Sequence, residues 1–401
     1  MVSRRNLLKM AAGVGAAPLL AHQVSCPAHA TTAQDTLPVT IINNTEYNDV
    51  RLCVTGTRLE NGQPCHLGPD GSSLVQLAMP DKDRTVVKDF SIKLAESGGS
   101  STITLPRMGA GRMWFAVDSP LVFEVNRGGA GPAFVFPSVS NHTDANYRTV
   151  WDFMEFTLDG GGMHANVTHV DSVAIPISID LDTRSSGRQS SAGLPPGGLD
   201  AVCDALLIQD GFDKLVITDG ARRLRAVSPA AGIKFPQPIF DSRYFDDYID
   251  QVWDRYGRED LIVDTQTQWG VSKGRVHNGR LTFAGVADGA FDKPSTWDVL
   301  ACAGSLTRGN NHAGAIAARL GAAFNRSTLA ANPHQPDTTT SGFYRHRITN
   351  HYSRILHAAA KDKLAYGFPF DDVGPGGGCA SFVSSATPTK LTITLNRLHR
   401  G

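Results

Sequence analysis

The sequence predicts a β-rich α+β fold, in which a β-barrel or sandwich domain is interrupted by a mixed α/β domain. Three observations predict it: short strand-like runs before residue 190, helical patterns after a linker, and renewed β character near the carboxyl end. The composition agrees, because only 19% of the residues are charged and 40 glycines and 22 prolines favour short strands joined by many turns.

The strand-like runs are β-branched or aromatic, and Gly, Pro or Asn residues bound them, which is typical of a sandwich or barrel. They lie at 37–44, 90–94, 113–117, 121–125 and 173–179, and a last one at 390–395. A stretch rich in Ser, Gly and Pro, Arg184–Gly198, follows as a linker.

The helical patterns lie beyond this linker. Apolar residues at 245, 248, 249, 252, 253 and 256 form one helix stripe that ends at Gly257. Asn310–Asn325 and Thr349–Lys361 predict two further helices, and Asn278-Gly279 predicts a hairpin turn. We therefore expect residues 31–188 and 366–401 to form the β domain and 189–365 the mixed α/β domain.

Residues 1–30 have the features of an export signal. Arg4-Arg5 is a twin-arginine pair, Met10–Ala21 is mildly apolar, and Ala28-His29-Ala30 is a cleavage site. The apolar run is too short to span a membrane permanently. We predict a mature protein that is secreted or periplasmic and not in the membrane. Cys26 would leave with the signal; its use as a lipid anchor is the alternative, in a poor sequence context.

The charge balance argues against two classes of partner. Lys and Arg total 38, as do Asp and Glu, so the net charge is zero and offers no footprint for nucleic acid or an anionic membrane. We found no internal repeat or coiled coil, and we expect a monomer.

Five cysteines remain in the mature chain, and an oxidising compartment permits disulfides. Cys53 and Cys65 flank a turn-like stretch and are the best candidate pair, which leaves Cys203, Cys302 and Cys379. Because none has a metal-ligand spacing, we expect no metal and no cofactor.

The segment 151–171 carries the candidate chemistry and is predicted as strand, glycine-rich turn and strand. Met154, Phe156 and Leu158 share one face, so Glu155 lies on the other with Phe153 and Thr157. An apolar-flanked glutamate would have its charged form disfavoured and could hold a proton near neutral pH.

Glu155 and Asp171 are sixteen residues apart. A hairpin centred on a whole residue near Gly162 puts both on one sheet face, whereas a half-residue centre puts them on opposite faces. The sequence leaves this register open. From spacing alone, solvated strand residues are the simpler interpretation, since the chain has 38 acidic residues.

Two facing carboxylates suit glycoside hydrolysis, in which one protonates the leaving oxygen. The other activates water when the carboxyl groups are roughly 6.5–9.5 Å apart, or attacks directly at about 5 Å.

This stretch resembles glycoside hydrolase family 64, the laminaripentaose-producing β-1,3-glucanases. The matching residues are Glu155-Phe156-Thr157 and Val170-Asp171, the latter preceded by Asn166-Val167-Thr168; Gly198-Leu199-Asp200 and Tyr366–Asp372 also match. The resemblance covers the whole mature chain. It implies a thaumatin-like β-barrel beside a mixed α/β domain, with a wide groove between them.

By the same resemblance, the chain would be an inverting endo-β-1,3-glucanase with Glu155 as general acid and Asp171 as general base. Thr157, Asp159, His164 and Thr168 would line the glucan subsites. Asp159 and His164 depart from the amide and indole expected there, and a missing indole removes a sugar-stacking platform. Product length and subsite affinity therefore stay open.

Two other functions compete with this hypothesis: a thaumatin-like protein that binds β-glucan without cleaving it, and a structural or host-interaction protein with a decayed site. Among other carboxylates, Asp152 is expected to be structural rather than a substrate contact. For Asp371 and Asp372, a place in the groove and a loop-capping role are equally plausible.

Overall fold

The computed structural model describes residues 35–374 and 380–400, which form 24 β-strands and six α-helices. The strands that precede the first helix are β1 (Thr36–Asn43), β2 (Val50–Thr57), β3 (Pro64–Leu67), β4 (Leu74–Gln76), β5 (Thr85–Val86), β6 (Ile92–Lys93), β7 (Ser100–Pro106), β8 (Met108–Val117), β9 (Glu124–Gly128), β10 (Gly131–Val135), β11 (Val150–Asp159), β12 (Gly162–Val167), β13 (Ser172–Val173), β14 (Ile177–Thr183) and β15 (Arg188–Ser191). The elements that follow are α1 (Gly198–Leu207), β16 (Val216–Asp219), β17 (Arg222–Val227), α2 (Pro229–Ile233), α3 (Asp246–Tyr256), β18 (Leu261–Asp264), β19 (Val271–His277), β20 (Arg280–Phe283), β21 (Ala290–Phe291), α4 (Thr296–Ala301), α5 (His312–Asn325), β22 (His334–Gln335), α6 (His351–Ala359), β23 (Phe382–Ser385) and β24 (Pro388–Leu395).

Two large sheets share one hydrophobic core. The first has the strand order β23-β12-β11-β8-β2-β3-β4, with β6 beside β2, and the second has the order β15-β14-β24-β1-β7. Met154 and Phe156 of the first sheet belong to the same buried cluster as Ile41, Ile179 and Ile393 of the second. The predicted β-rich fold with additional helices is therefore confirmed.

Strand β11 shows the alternation that its sequence predicts. Met154, Phe156 and Leu158 are at most 2% exposed and face the core, whereas Glu155 and Thr157 are partly exposed on the opposite face. Burial of three large apolar side chains at every second position holds the strand in this orientation, because a one-residue slip would bury Glu155 instead.

Some predicted strands are shorter or displaced. Of 90–94 only Ile92–Lys93 is a strand, and the run at 121–125 becomes a strand only at Glu124. The run at 173–179 is divided into β13 and β14, because Pro176 lacks an N–H group and the amides of Ala174 and Ile175 bond to a side chain.

The helix predictions are confirmed. Helix α3 ends at Tyr256 with Gly257 as its C-cap, and its apolar stripe is buried. Helices α5 and α6 begin two residues later than predicted because Asn311 and Asn350 act as side-chain N-caps. In the β19–β20 hairpin, Asn278 and Gly279 both have positive φ, 47° and 78°, as a two-residue hairpin turn requires.

The chain returns to both large sheets after the helical region. Strand β24 lies between β1 and β14 and is parallel to β1, and β23 forms an edge beside β12. The predicted linker, 184–198, contains β15, which pairs with β14. A small sheet, β13-β17-β16, joins the segment that follows β12 to the helical region.

The predicted Cys53–Cys65 disulfide is wrong. Both are buried free cysteines, as are Cys203 and Cys302. The β2–β3 register places Cys65 opposite Gly56 rather than Cys53, so the two thiols do not face each other. Cys379, Cys26 and the predicted signal peptide lie outside the described residues. None of the helices in the described ranges has the length and apolarity needed to cross a bilayer.

Candidate active site

Glu155 lies at the centre of β11, between two antiparallel neighbours. Arg112 of β8 is opposite it on one side and Asn166 of β12 on the other, and directly paired residues point to the same face of a sheet. The Glu155 side chain is 18% exposed, so it reaches solvent from a largely enclosed position.

Arg112 forms an ion pair with Glu155. Its Nη2 and Nε atoms donate to Glu155 Oε1 at 3.1 and 3.2 Å, and the arginine side chain is 14% exposed. Its Cζ atom lies 4.9, 5.3 and 5.5 Å from the ring centroids of Phe153, Phe136 and Trp114. Three aromatic faces thus hold the guanidinium in place. Besides the apolar neighbours predicted from the sequence, Glu155 therefore has a cationic partner.

The β11–β12 hairpin has the register that would have separated the two carboxylates. Asp159 pairs with Gly162, so the turn is Gly160-Gly161 and its centre falls between two residues. If β12 continued, Asp171 would lie on the face opposite Glu155. The whole-residue alternative is therefore wrong, but β12 ends at Val167 and this rule no longer applies to Asp171.

The segment 168–171 leaves the sheet and is fixed by bonds to other parts of the chain. The His169 amide donates to the Tyr366 carbonyl at 2.8 Å, and the Tyr352 hydroxyl donates to the His169 carbonyl at 2.8 Å. The Ser228 amide donates to the Asp171 carbonyl at 2.9 Å. Asp171 is only partly exposed. It lies close enough to Glu155 and Arg112 for both charges to influence its pKa.

Asp152 connects the two candidate carboxylates through the backbone. It lies on β11 three residues before Glu155 and is 2% exposed. Its Oδ2 atom accepts the amides of Ala174 and Ile175 at 2.8 and 3.0 Å, three and four residues after Asp171. This structural role agrees with the sequence-based expectation. Burial raises the pKa of Asp152 to about 7, against the opposing effect of the amide donors.

The pKa of Asp171 is raised to about 6. Burial is the main cause and the negative charge of Glu155 adds to it, whereas Arg112 acts in the opposite direction. A carboxyl group with this pKa exchanges protons near neutral pH, which is the property that acid–base catalysis needs.

The four predicted subsite residues have different positions relative to Glu155 and Asp171. Thr157 and His164 pair with each other, and Ser384 of β23 extends their row on the Glu155 face; the Ser384 hydroxyl and His164 Nδ1 are 2.8 Å apart. Asp159 accepts the Gly161 amide at 2.7 Å and stabilises the turn. Thr168 is 4% exposed, and its hydroxyl accepts the Val170 amide at 3.4 Å.

Asp371, near the end of the chain, is held by a network of structural hydrogen bonds. Asp371 is fully buried and bonds to Arg326, His357, the Ser353 hydroxyl and the Gly367 amide. Although burial opposes it, the charges of His357 and Arg326 hold the pKa of Asp371 below its usual value. Within 35–374 and 380–400, no group of three His, Cys, Asp or Glu side chains is arranged to hold a metal ion.

Sequence reasoning missed Arg112 and did not assign Asn166 a role. Arg112 is a lone charge in β8, whose neighbours Met113, Trp114 and Phe115 are buried, and a charge in such a strand was a usable signal. Asn166 is 1% exposed, and its two side-chain amide atoms lack hydrogen-bond partners. Only the observed register reveals that it lies opposite Glu155.

Glu155 lies on the sheet face and Asp171 on the adjoining loop, and the charge of Glu155 raises the pKa of Asp171. Together with the neighbouring hydroxyl and imidazole side chains, they define the class of an acid–base hydrolase that suits a glycosidic bond. The profile of the family described as "Beta-1,3-glucanase" matches residues 35–395, and a twin-arginine translocation signal matches residues 1–21. The chain belongs to this β-1,3-glucanase family, glycoside hydrolase family 64.

Two bacterial relatives are both called glucan endo-1,3-beta-glucosidase, one from Cellulosimicrobium cellulans and one from an Arthrobacter strain. Each is 33% identical over 390 residues, which cover 93% of this chain and 67% of the relative. The chain therefore spans about two thirds of the length of these relatives. The match to the signal family indicates export by the twin-arginine route.

Solved structures show the same fold. A laminaripentaose-producing β-1,3-glucanase in complex with laminaritetraose superimposes with a TM-score of 0.84 at 33% identity, over 91% of this chain and 100% of that one. A β-1,3-glucanase domain from Clostridium beijerinckii gives a TM-score of 0.75 at 23% identity, over 90% of this chain and 98% of that one, and supports the fold alone.

Asp171→Asn is expected to stabilise the protein at neutral pH. The folded state holds the Asp171 proton up to about pH 6, whereas the unfolded chain releases it near the usual aspartate pKa. Stability therefore falls as the pH rises from about 4 to about 6, and the full cost of the buried ionised group remains above pH 6. The free energy of unfolding of the variant, relative to wild type, should be about 1–2 kcal/mol higher at pH 8 than at pH 4. Urea unfolding at both pH values measures this. Asp254→Asn, an exposed carboxylate on α3, is the control and should show no such gain. An equal difference at both pH values would contradict the raised pKa.

Proposed function

We propose that this chain is an exported endo-β-1,3-glucanase that cuts β-1,3-glucan to short laminari-oligosaccharides with inversion. The observation that carries the proposal is the convergence of Glu155 and Asp171 around Arg112, although they come from a strand and from a separate loop. Membership of the β-1,3-glucanase family and the laminaritetraose complex of a relative support β-1,3-glucan as substrate.

In the proposed mechanism, Glu155 is the general acid and Asp171 the general base. Asp171 takes a proton from water as the water oxygen bonds to the anomeric carbon, and Glu155 protonates the oxygen that leaves. Thr157 and His164 share the Glu155 face and would contact neighbouring sugar units. Thr168 and Asp159 would act from the ends of β12 and β11.

The opposite assignment has two observations in its favour. Arg112 forms an ion pair with Glu155, and the raised pKa of Asp171 lets that group keep a proton up to about pH 6 in the free protein. The two assignments require opposite protonation states of Asp171, so the pH dependence of kcat/KM separates them.

We also propose that the two large sheets form a thaumatin-like β-barrel domain and that the mixed α/β region is inserted into it, with a groove between them. The return of β23 and β24 to the sheets built by β1–β15 supports the insertion.

Glu155→Gln and Asp171→Asn should each lower kcat on laminarin by about 10²–10⁴-fold, because each removes one half of the acid–base pair. Reducing-sugar release measures turnover, and far-ultraviolet circular dichroism checks folding. Asp254→Asn is the matched control and should retain wild-type kcat. Glucan binding by the wild-type protein with no sugar release would instead support a non-catalytic β-glucan-binding protein.

The first product formed from a β-1,3-linkage should carry an α-anomeric reducing end. Water activated by Asp171 attacks the face opposite the leaving group, which inverts the anomeric carbon. Proton NMR of the reaction in its first minutes, before mutarotation, distinguishes the anomers. A β-anomer would show that Asp171 acts as a nucleophile.

Arg112→Gln should move the acidic limb of the kcat/KM profile to higher pH. If Asp171 is the base, wild-type activity falls below about pH 6, and loss of the guanidinium raises the pKa of Asp171 further. Arg112→Lys should restore part of the shift, and Arg243→Gln, on the surface near α3, is the charge control. Loss of wild-type kcat/KM above pH 6 rather than below it would assign the acid role to Asp171.

A further inference from the structure

Phe382 is an exposed aromatic side chain in line with Glu155. It lies on the edge strand β23 and is 41% exposed. Phe382 pairs with Asn166, and Asn166 pairs with Glu155, so the three side chains form one row on the same face. Because neighbouring strands lie about 4.8 Å apart, Phe382 is about 10 Å from Glu155 across the sheet. A sugar unit next to the scissile bond, rather than the unit being cleaved, would span this distance.

The Phe382 ring lies beside the ring of His164 on a strand that is anchored at both edges. The His164 ring lies 6.3 Å from it, centroid to centroid, at an interplanar angle of 25°. The strand is also anchored at its outer edge: Gln189 Nε2 donates to the Ser384 carbonyl at 2.7 Å, and the Ser384 amide donates to Gln189 Oε1 at 2.9 Å. The backbone of the strand is therefore fixed, and the two rings lie nearly parallel on one face, an arrangement that lowers the entropic cost of binding.

Asn166 provides a second observation in the same row. Its side-chain nitrogen and oxygen are both buried and have no hydrogen-bond partner. Buried amide groups are normally paired, and an orphaned one indicates a site where another polar group belongs. The position between Glu155 and Phe382 fits a ligand that presents hydroxyl groups beside an apolar face.

We propose that Phe382 is the stacking platform of a glucan subsite adjacent to the scissile bond, with Asn166 bonding a hydroxyl of the same region. In β-linked glucose the ring faces carry C–H groups, which pack on an aromatic face, while the hydroxyls point outward to polar side chains. The platform takes over the stacking role for which His164 alone, a smaller and more polar ring, is less suited. The proposal rests on the proposed function, since the ligand is the same β-1,3-glucan chain.

The test compares Phe382→Ala, Phe382→Leu and Phe382→Tyr on laminari-oligosaccharides of increasing length. Phe382→Ala should raise KM about tenfold for substrates long enough to reach the platform, with little change in kcat. For the shortest substrate that is cleaved, KM should not change. Phe382→Tyr should behave as wild type, and Phe382→Leu, which keeps apolar area but has no ring, should resemble Phe382→Ala. The control is Ile208→Ala, at an exposed apolar residue that follows α1.

A binding measurement separates this proposal from the catalytic one. Calorimetry with Glu155→Gln protein gives Kd values, and adding Phe382→Ala should weaken binding by the same tenfold. Unchanged KM and Kd in Phe382→Ala, or wild-type behaviour of Phe382→Leu, would overturn the platform and leave the glucanase function standing. If the wild-type protein releases no sugar but the Kd effect is found, the catalytic function fails and the platform remains.

Discussion

The site depends on one constraint: the two hydrogen bonds that the Asp152 carboxylate accepts from the amides of Ala174 and Ile175. Glu155 belongs to a sheet strand and Asp171 to a loop, and Asp152 ties that loop to the strand within a few residues of each. A buried carboxylate is costly, and its three amide donors offset part of that cost. The same hydrogen bonds end β13 at Val173, because the amides of Ala174 and Ile175 bond to a side chain instead of to a neighbouring strand.

Arg112 partly neutralises the negative charges of Glu155 and Asp171. Two carboxyl groups close together disfavour the ionisation of each other, and one guanidinium held among three aromatic rings reduces that repulsion. The rings also exclude water from one side of the cation, which strengthens its electrostatic effect. The electrostatics of the pair therefore depend on Phe153 and Trp114 as well, because these rings fix the position of the Arg112 charge.

The sequence predicted those features that local physics determines. The alternation of β11, the stripe of α3 and the Asn278-Gly279 turn follow from periodicity and backbone preference, and all three are confirmed. The β2–β3 register, the end of β12 at Val167 and the position of Arg112 depend on pairings between distant strands. Hence the Cys53–Cys65 disulfide was wrong and the face of Asp171 stayed open, whereas resemblance supplied the two carboxylates directly.

The parallel pairing of β1 with β24 has a consequence for how the protein forms. Val39 is hydrogen-bonded to a strand that contains Leu391, and β24 separates β1 from β14, so the second sheet has no continuous centre until both ends of the described chain are present. Contacts between residues so far apart in the sequence make folding slow. The entropy of a long loop must be lost before the favourable contacts between the strands can form. Synthesis from the amino end would thus leave an open apolar seam between β1 and β14 until β24 has been made.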